Sequence, residues 1–257
     1  MQRVLISLSS FGAAEVRRHG QLWFARLAHA AGADGVEVRG ELLTQPAAEL
    51  PALAQAVRES RMDVVYSSPD GLWRSDGALD HSALGRALEA AAALGAPRLK
   101  MSLGSFGAAS RDSVSELKER VGRSKIELLI ENDQTAMAGT LAALQRFLAS
   151  AAEQDLQPRM TFDMGNWHWT GECPLQAAQA LAGHVRYVHC KGVQRQPRRW
   201  IAVPLADSSA PWRAVLRALP RDVPWAIEYP LAGDDLLTRT REEVDLLRTV
   251  AASESTA

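Results

Sequence analysis

The chain has 257 residues, of which 47% are hydrophobic and 23% are charged, a composition typical of globular proteins. Its formal net charge of −1 gives no overall attraction to nucleic acid or to an anionic membrane, so we expect neither as a partner. The two cysteines, Cys173 and Cys190, are too few for a disulfide framework, so we expect reduced thiols in a cytoplasmic protein. The apolar run after Met1 soon meets Ser and Gly, which makes it too short for a signal peptide or a membrane span.

Apolar, strand-like runs recur along the whole chain with helical patterns between them. The runs begin near Val4, Gly35, Asp63, Arg98, Ile126, Arg159, Arg186 and Trp225. Their spacing is close to the roughly 30 residues that a strand, its crossover helix and two loops require. The pattern therefore predicts β/α units whose strands are parallel, each returning through a helix.

The segments between these strands have apolar residues at helical spacing. Helices are predicted over residues 15–31, 46–61, 80–95, 113–121, 139–153, 174–181, 211–219 and 234–251. Asp80 is expected to cap the third of them and Gly95 to end it. Because no Ser/Gly linker or change of composition interrupts the pattern, we predict one domain over residues 1–250 and a flexible tail over 251–257.

Such units can close into a barrel or spread as an open, doubly wound sheet. No Gly-x-Gly-x-x-Gly motif follows the first strand, where the sequence from Ser7 to Gly12 stands instead. Polar residues follow many of the strands and do not cluster at one switch point. The sequence therefore predicts the α/β class and a single-domain (β/α)8 TIM barrel, in which the carboxyl ends of all strands surround one site.

Each of the last four predicted strands ends in a carboxylate or an imidazole: Glu131, Asp163, His189 and Glu228. A lone carboxylate at a strand end is often a helix cap or a surface ion pair, but four successive strands are unlikely to end this way by chance. Three carboxylates and one imidazole suit a hard or borderline ion. We predict one divalent metal ion, Mn²⁺, Mg²⁺ or Co²⁺ ahead of Zn²⁺.

The motifs around these residues carry a family resemblance. The segments Leu-Ile-Glu-Asn, Phe-Asp-Met-Gly-Asn, His-Cys-Lys and Ile-Glu-Tyr contain Glu131, Asp163, His189 and Glu228, and Gly-Val-Glu-Val-Arg contains Glu37. The chain resembles the xylose-isomerase-like barrels, which include tagatose/psicose 3-epimerases and hydroxypyruvate isomerase. The resemblance implies that the first four residues bind the metal and that Glu131 and Glu228 flank the substrate as acid and base.

The activity that the resemblance implies is metal-dependent isomerisation or epimerisation of a small keto-sugar or sugar acid, with or without a phosphate. A divalent cation stabilises the enediolate formed when a proton next to a carbonyl is removed. One carboxylate takes that proton and a second returns it. The chain departs from the sugar epimerases at Asn166, where they usually have a histidine, and at Met137, where they have a glutamate. Arg195 matches their arginine.

Further residues are candidates for contacts with the substrate. A histidine or tryptophan after the sixth strand can bind a hydroxyl or stack on a sugar. Lys191 lies two residues after His189, so it points the same way. An arginine suits an acid or a phosphate. For the aromatic residues the structural alternative is a packed lid, and for the arginine it is a solvated basic loop. Glu37 and Arg39 alternate on the second strand, and a structural ion pair and a substrate contact are both open for them; for Lys100 the alternative is a buried ion pair. The predicted substrate-binding residues are Asn166, Trp167, His168, Lys191, Arg195 and Glu37.

Three other functions are alternatives for such a barrel. A DNA-repair endonuclease of this superfamily uses a zinc cluster rich in histidine, and the chain has 6 histidines and no basic stripe. A metal-dependent dehydratase or other lyase could use the same four ligands. A barrel that binds a sugar without catalysis would retain a cluster of carboxylates that is costly without a cation. The expected partner is a small sugar or sugar acid, and a homo-oligomer is left open.

Overall fold

A computed structural model describes residues 1–254 of the chain. The strands are β1 Val4–Ser7, β2 Gly35–Arg39, β3 Asp63–Trp73, β4 Arg98–Gly104, β5 Glu127–Glu131, β6 Arg159–Asp163, β7 Val185–Cys190, β8 Gly192–Gln196, β9 Arg199–Val203 and β10 Trp225–Ile227. All except β8 and β9 form one closed parallel barrel in the order β1-β10-β7-β6-β5-β4-β3-β2. The prediction of a single-domain TIM barrel is confirmed.

The helices that surround the barrel lie close to their predicted positions. They are α1 Ala13–His19, α2 Gln21–Ala30, α3 Pro46–Glu59, α4 His81–Leu94, α5 Val114–Gly122, α6 Leu141–Glu153, α7 Pro174–Leu181, α8 Trp212–Ala218 and α9 Leu236–Glu254. The carboxylate of Asp80 accepts a hydrogen bond of 2.9 Å from the backbone N–H of Ala83, and Gly95 ends α4 with a φ of 72°. Both ends of α4 are therefore capped as the sequence indicates. None of the helices within residues 1–254 is both long and apolar enough to cross a membrane.

Three features differ from the sequence prediction. The helix expected over residues 15–31 is divided at Gly20, whose φ of 80° is incompatible with a continuous helix. The basic segment after β7 forms an antiparallel hairpin, β8–β9, where no strand was expected. Helix α9 continues to Glu254, past the predicted start of the tail at residue 251, and residues 255–257 lie outside the described part of the chain.

The barrel interior is built in layers because alternate residues of a strand point inward. Five buried apolar residues form a separate cluster inside the barrel: Leu5, Val65, Leu129, Tyr187 and Ala226. Two positions further along each of these strands stands a polar residue, in the order Ser7, Ser67, Glu131, His189 and Glu228. The period of two therefore places a polar layer directly above the apolar one, at the carboxyl ends of the strands.

Candidate metal centre

The four predicted ligand residues meet at this polar layer, where Asp163 at the end of β6 lies beside Glu131, His189 and Glu228. One ligand atom from each of Glu131, Asp163, His189 and Glu228 lies within 4.8 Å of all the others. His189 Nδ1 is 2.8 Å from a Glu228 oxygen, 3.0 Å from a Glu131 oxygen and 3.8 Å from an Asp163 oxygen. Because oxygen and nitrogen ligands bind divalent ions at about 2 Å, ligands around one ion lie about 3–4 Å apart. The spacing and the chemistry of this donor set therefore fit one divalent ion.

Glu37, at the centre of β2, lies behind His189. Its Oε2 atom is 2.8 Å from His189 Nε2, and the carboxylate is fully buried. Metal-binding histidines commonly donate their second ring N–H to a carboxylate, which fixes the orientation of the ring. Glu37 is positioned for this role, and Nδ1 of the ring faces the other three candidate ligands. This placement differs from the predicted contact with a substrate.

A partly buried arginine from β2 and a buried lysine from β4 neutralise carboxylates of the cluster. Lys100 Nζ lies 2.8 Å from both oxygens of Glu131, and the lysine side chain is 2% exposed. Arg39 Nη1 lies 2.6 Å from Glu228 and 3.0 Å from Glu37. Since an unpaired carboxylate is costly to bury, these pairs allow the candidate ligands to lie together before an ion arrives.

The turn after β6 fixes the orientation of Asp163. Its Oδ1 atom accepts the backbone N–H groups of Gly165, at 2.8 Å, and Asn166, at 3.0 Å. Its Oδ2 atom, which faces the cluster, accepts a 2.6 Å bond from Lys191 Nζ. The side chain of Asn132 bonds both the N–H and the carbonyl of Asp163, each at 2.9 Å. One carboxylate oxygen is thus used by the turn and the other is left for the cluster.

The carboxyls of Glu228 and Glu131 are held ionised by their neighbours. Burial raises the pKa of Glu228, but the positive charges of His189 and Lys191 outweigh this and hold the pKa well below its usual range. Burial also raises the pKa of Glu131, and the opposing effect of Lys100 leaves it lowered. Both groups therefore exist as carboxylates, the form that binds a metal or accepts a proton.

The pKa values of the other two candidate ligands, His189 and Asp163, are raised, which favours their protonated forms. Burial lowers the pKa of His189, but Glu228 and Glu37 raise it well above its usual value. Burial raises the pKa of Asp163, and Lys191 only partly opposes this. Because a metal binds the unprotonated nitrogen of a neutral imidazole, an ion at this site would compete with a proton for His189 Nδ1.

A cavity of about 570 Å³, lined mainly by polar residues, opens beside Glu131. Its lining comes from strands β2, β3, β4 and β5 and from the loops that follow β2, β4 and β5. Arg39, Ser67 and Ser102 line it, together with Asp133, whose carboxylate accepts a 2.7 Å bond from the Ser102 hydroxyl. Its volume is within the usual range for small-molecule sites. A second cavity of about 460 Å³ lies at the opposite end of the barrel, far from the candidate ligands.

The remaining predicted contacts after β6 are divided between the core and the rim. Asn166 is buried, and its side-chain oxygen accepts bonds of 3.0 Å from Lys191 and from Gln134. Trp167 is fully buried and packs on Phe162, so it does not face a ligand and differs from the prediction. His168 is partly buried at the rim.

The β8–β9 hairpin carries the last predicted contact. Arg195 is exposed, and its guanidinium lies 5.3 Å from the ring centre of Trp200, which packs against His168 at 4.8 Å. These residues are absent from the lining of the polar cavity beside Glu131.

Asn132 was missing from the predicted site residues, and Arg39 and Lys100 were considered for a buried ion pair or a substrate contact but were not among them. Lys100 carried a signal, because a lysine between Leu99 and Met101 in an apolar strand requires a buried partner. Asn132 follows Glu131 directly, but its contact with Asp163 depends on how two strands are aligned. The sequence carried no signal for that contact.

Comparison with known proteins supports the fold and the family. The profile of the xylose isomerase-like TIM barrel family matches residues 25–250. No curated protein matches the sequence. Similar solved structures include an L-ribulose 3-epimerase, at 16% identity and a TM-score of 0.72 over 100% of this chain and 96% of that one. A probable 3-DHS dehydratase from Bacillus anthracis has 15% identity and a TM-score of 0.73 over 96% of this chain and 99% of that one.

Two further structures share the barrel. A D-psicose 3-epimerase with D-tagatose from Clostridium cellulolyticum H10 gives 12% identity and a TM-score of 0.69 over 97% of this chain and 99% of that one. A fusion of a xylose isomerase-like TIM barrel with 4-hydroxyphenylpyruvate dioxygenase has 14% identity and a TM-score of 0.71. This chain spans 42% of the length of that fusion protein. At such identities the structures establish the fold alone. Because the family profile covers most of the chain, the protein belongs to the xylose isomerase-like TIM barrel family.

Proposed function

We propose that the protein is a divalent-metal-dependent isomerase or epimerase of a small keto-sugar or sugar acid. The observation that carries this proposal is the convergence of four ligand atoms within 4.8 Å beside a polar cavity of about 570 Å³. The family and the epimerases among its structural relatives agree with it.

The acid/base pair is Glu131 and Glu228. A divalent ion held by the four candidate ligands would supply the positive charge that makes a proton next to a carbonyl more acidic. The two glutamates approach the same nitrogen of His189, at 3.0 Å and 2.8 Å, so they flank one small region. One accepts the proton and the other returns it. Return to the opposite face of the same carbon gives an epimer, and return to the neighbouring carbon gives an isomer.

The cations around this pair keep it in the reactive form. Lys100 binds both oxygens of Glu131, and Arg39 binds one oxygen of Glu228. These contacts favour the carboxylate over the carboxylic acid and restrict its rotation. The serines and Asp133 that line the cavity offer hydrogen bonds to the hydroxyl groups of a substrate.

The test is proton exchange in deuterated water. Protein freed of metal with a chelator is reloaded with Mn²⁺, Mg²⁺, Co²⁺ or Zn²⁺ and mixed with D-tagatose, D-psicose, L-ribulose or hydroxypyruvate. Deuterium incorporation and new products are followed by NMR. We expect exchange only after metal is added, and a loss of about 10²–10⁴-fold in Glu228→Gln. Glu242→Gln, an exposed carboxylate on α9, serves as the control and keeps full exchange.

Each other outcome rejects the proposal in a different way. Full exchange in Glu228→Gln rejects the acid/base role of Glu228. Exchange by the metal-free protein rejects the requirement for a metal ion. Loss of water from the substrate, seen by mass spectrometry, identifies a dehydratase. Metal and sugar binding without exchange identifies a binding barrel. Circular dichroism of each variant shows whether the fold is kept.

A further inference from the structure

Lys191 occupies the space that faces two of the candidate metal ligands. Its Nζ atom lies 2.6 Å from Asp163 Oδ2 and 2.9 Å from Glu228 Oε2. These are the oxygens that lie 3.8 Å and 2.8 Å from His189 Nδ1, on the inner side of the cluster. The ammonium group and an incoming metal ion therefore require the same two oxygen atoms.

The other cations of the site are placed differently. Among the described residues, Lys100 contacts Glu131 and Arg39 contacts Glu228, so each pairs with one candidate ligand, whereas Lys191 bridges two. Two cations that share the same oxygens repel each other strongly when protein rather than water surrounds them. Metal entry therefore conflicts with the position of Lys191 more than with that of Lys100 or Arg39.

Gly165 makes room for the Lys191 side chain. A Cβ atom at Gly165 would lie 2.7 Å from Lys191 Cδ and 2.8 Å from Cγ. The backbone angles of Gly165, φ −83° and ψ −38°, are accessible to any residue, so backbone freedom does not require glycine here. What requires it is the passage of the lysine chain across the turn after β6. The path of Lys191 to the cluster is thus built into two separate segments of the chain.

Asn166 provides the lysine with an uncharged acceptor. Its Oδ1 atom is 3.0 Å from Lys191 Nζ. The amide is held by Gln134, which donates to the same oxygen, and by its own 2.9 Å bond to the carbonyl of Asn132. The acceptor stays in place when the carboxylates are taken by another cation.

We propose that Lys191 is an internal counter-ion that competes with the metal for Asp163 and Glu228, and that metal entry withdraws its ammonium group onto Asn166. This inference rests on the proposed metal binding. The competition lowers the affinity of the centre for its ion and keeps the two carboxylates neutralised when the ion is absent.

Calorimetric titration of Mn²⁺ into metal-free protein tests the competition. Lys191→Met keeps the length of the side chain and removes its charge, and we expect it to bind Mn²⁺ about tenfold more tightly than the unchanged protein. Lys125→Met removes an exposed lysine from the β5 side of the barrel and is expected to change the affinity less than about twofold. If the unchanged protein binds Mn²⁺ and Lys191→Met binds it no more tightly, the proposed competition is rejected but the metal centre is not. Absence of Mn²⁺ binding in all three proteins overturns the metal centre as well.

A crystal structure of the unchanged protein with Mn²⁺ gives an answer that does not depend on a variant. We expect Lys191 Nζ to leave hydrogen-bonding distance of Asp163 and Glu228 and to keep its bond to Asn166. An ammonium that remains on both carboxylates beside a bound Mn²⁺ contradicts the proposal.

Discussion

The two halves of the barrel contribute different chemistry to the same layer. Strands β5, β6, β7 and β10 end in the four candidate ligands. Strands β1, β2 and β4 supply Ser7, Glu37, Arg39 and Lys100, which bind those ligands or one another. The ligand half brings three carboxylates together and supplies one counter-charge, Lys191 after β7, which pairs with Asp163 and Glu228. The opposite half supplies positive charge for the glutamates and a carboxylate for the histidine.

This division shows how a metal centre can be prepared in the folded chain. A buried carboxylate without a partner is costly. Here Glu131 is paired with Lys100 on the neighbouring strand β4, and Glu228 is paired with Arg39 on β2. Glu37 and His189 are 152 positions apart in sequence but 2.8 Å apart in space. Substitutions in the half of the barrel formed by β1 to β4 should therefore have large effects, first on stability and then on metal affinity. Substitutions at the rim of the site should have the smallest effect.

The largest expected effect is on the stability of Lys100→Met. Lys100 is 2% exposed and Glu131 is 13% exposed, so the substitution leaves a largely buried carboxylate without its lysine partner. We expect a loss of about 3–5 kcal/mol in the free energy of unfolding of the metal-free protein. Chemical denaturation measures this, and the double variant with Glu131→Gln should recover much of the loss. A loss below about 1 kcal/mol, the value of a surface pair, would show that the two halves are not coupled through Lys100.

Glu37→Gln should act mainly on metal affinity. The amide has nearly the shape of the carboxylate but accepts a weaker hydrogen bond from the imidazole N–H, so His189 becomes a poorer ligand. We expect Mn²⁺ to bind about 10–100-fold more weakly, as measured by calorimetry. Glu127→Gln, at the start of β5 and paired with Arg98, is the matched control and should leave the affinity unchanged. An unaltered affinity in Glu37→Gln would mean that Glu37 does not support His189.

Arg195→Ala is expected to have the smallest effect. Its guanidinium is exposed and stacks on Trp200, and exposed charges contribute about 0–1 kcal/mol, or less than about fivefold in an equilibrium constant. The KM for neutral and anionic substrates, compared in steady-state assays, should change within that limit. The sequence-based prediction that Arg195 binds the substrate requires a larger rise in KM, above all for an anionic one.

The sequence by itself determined the strands and the end of each strand. Strong apolar runs at regular spacing place every barrel strand within one residue of its predicted start, because burial of such runs leaves few alternatives. The period of two then gives the inward direction of Glu131, Asp163, His189 and Glu228, and closure of a parallel barrel brings the strand ends together.

Only the tertiary structure decided which groups face each other across the barrel. The pattern around Glu37 is the same whether it reaches a substrate or His189, and the choice depends on the opposite wall. Trp167 follows a strand like a rim residue, yet the turn after β6 directs it into the core. A local pattern fixes the direction of a side chain, whereas its partner depends on strands distant in sequence that only the closed barrel brings near.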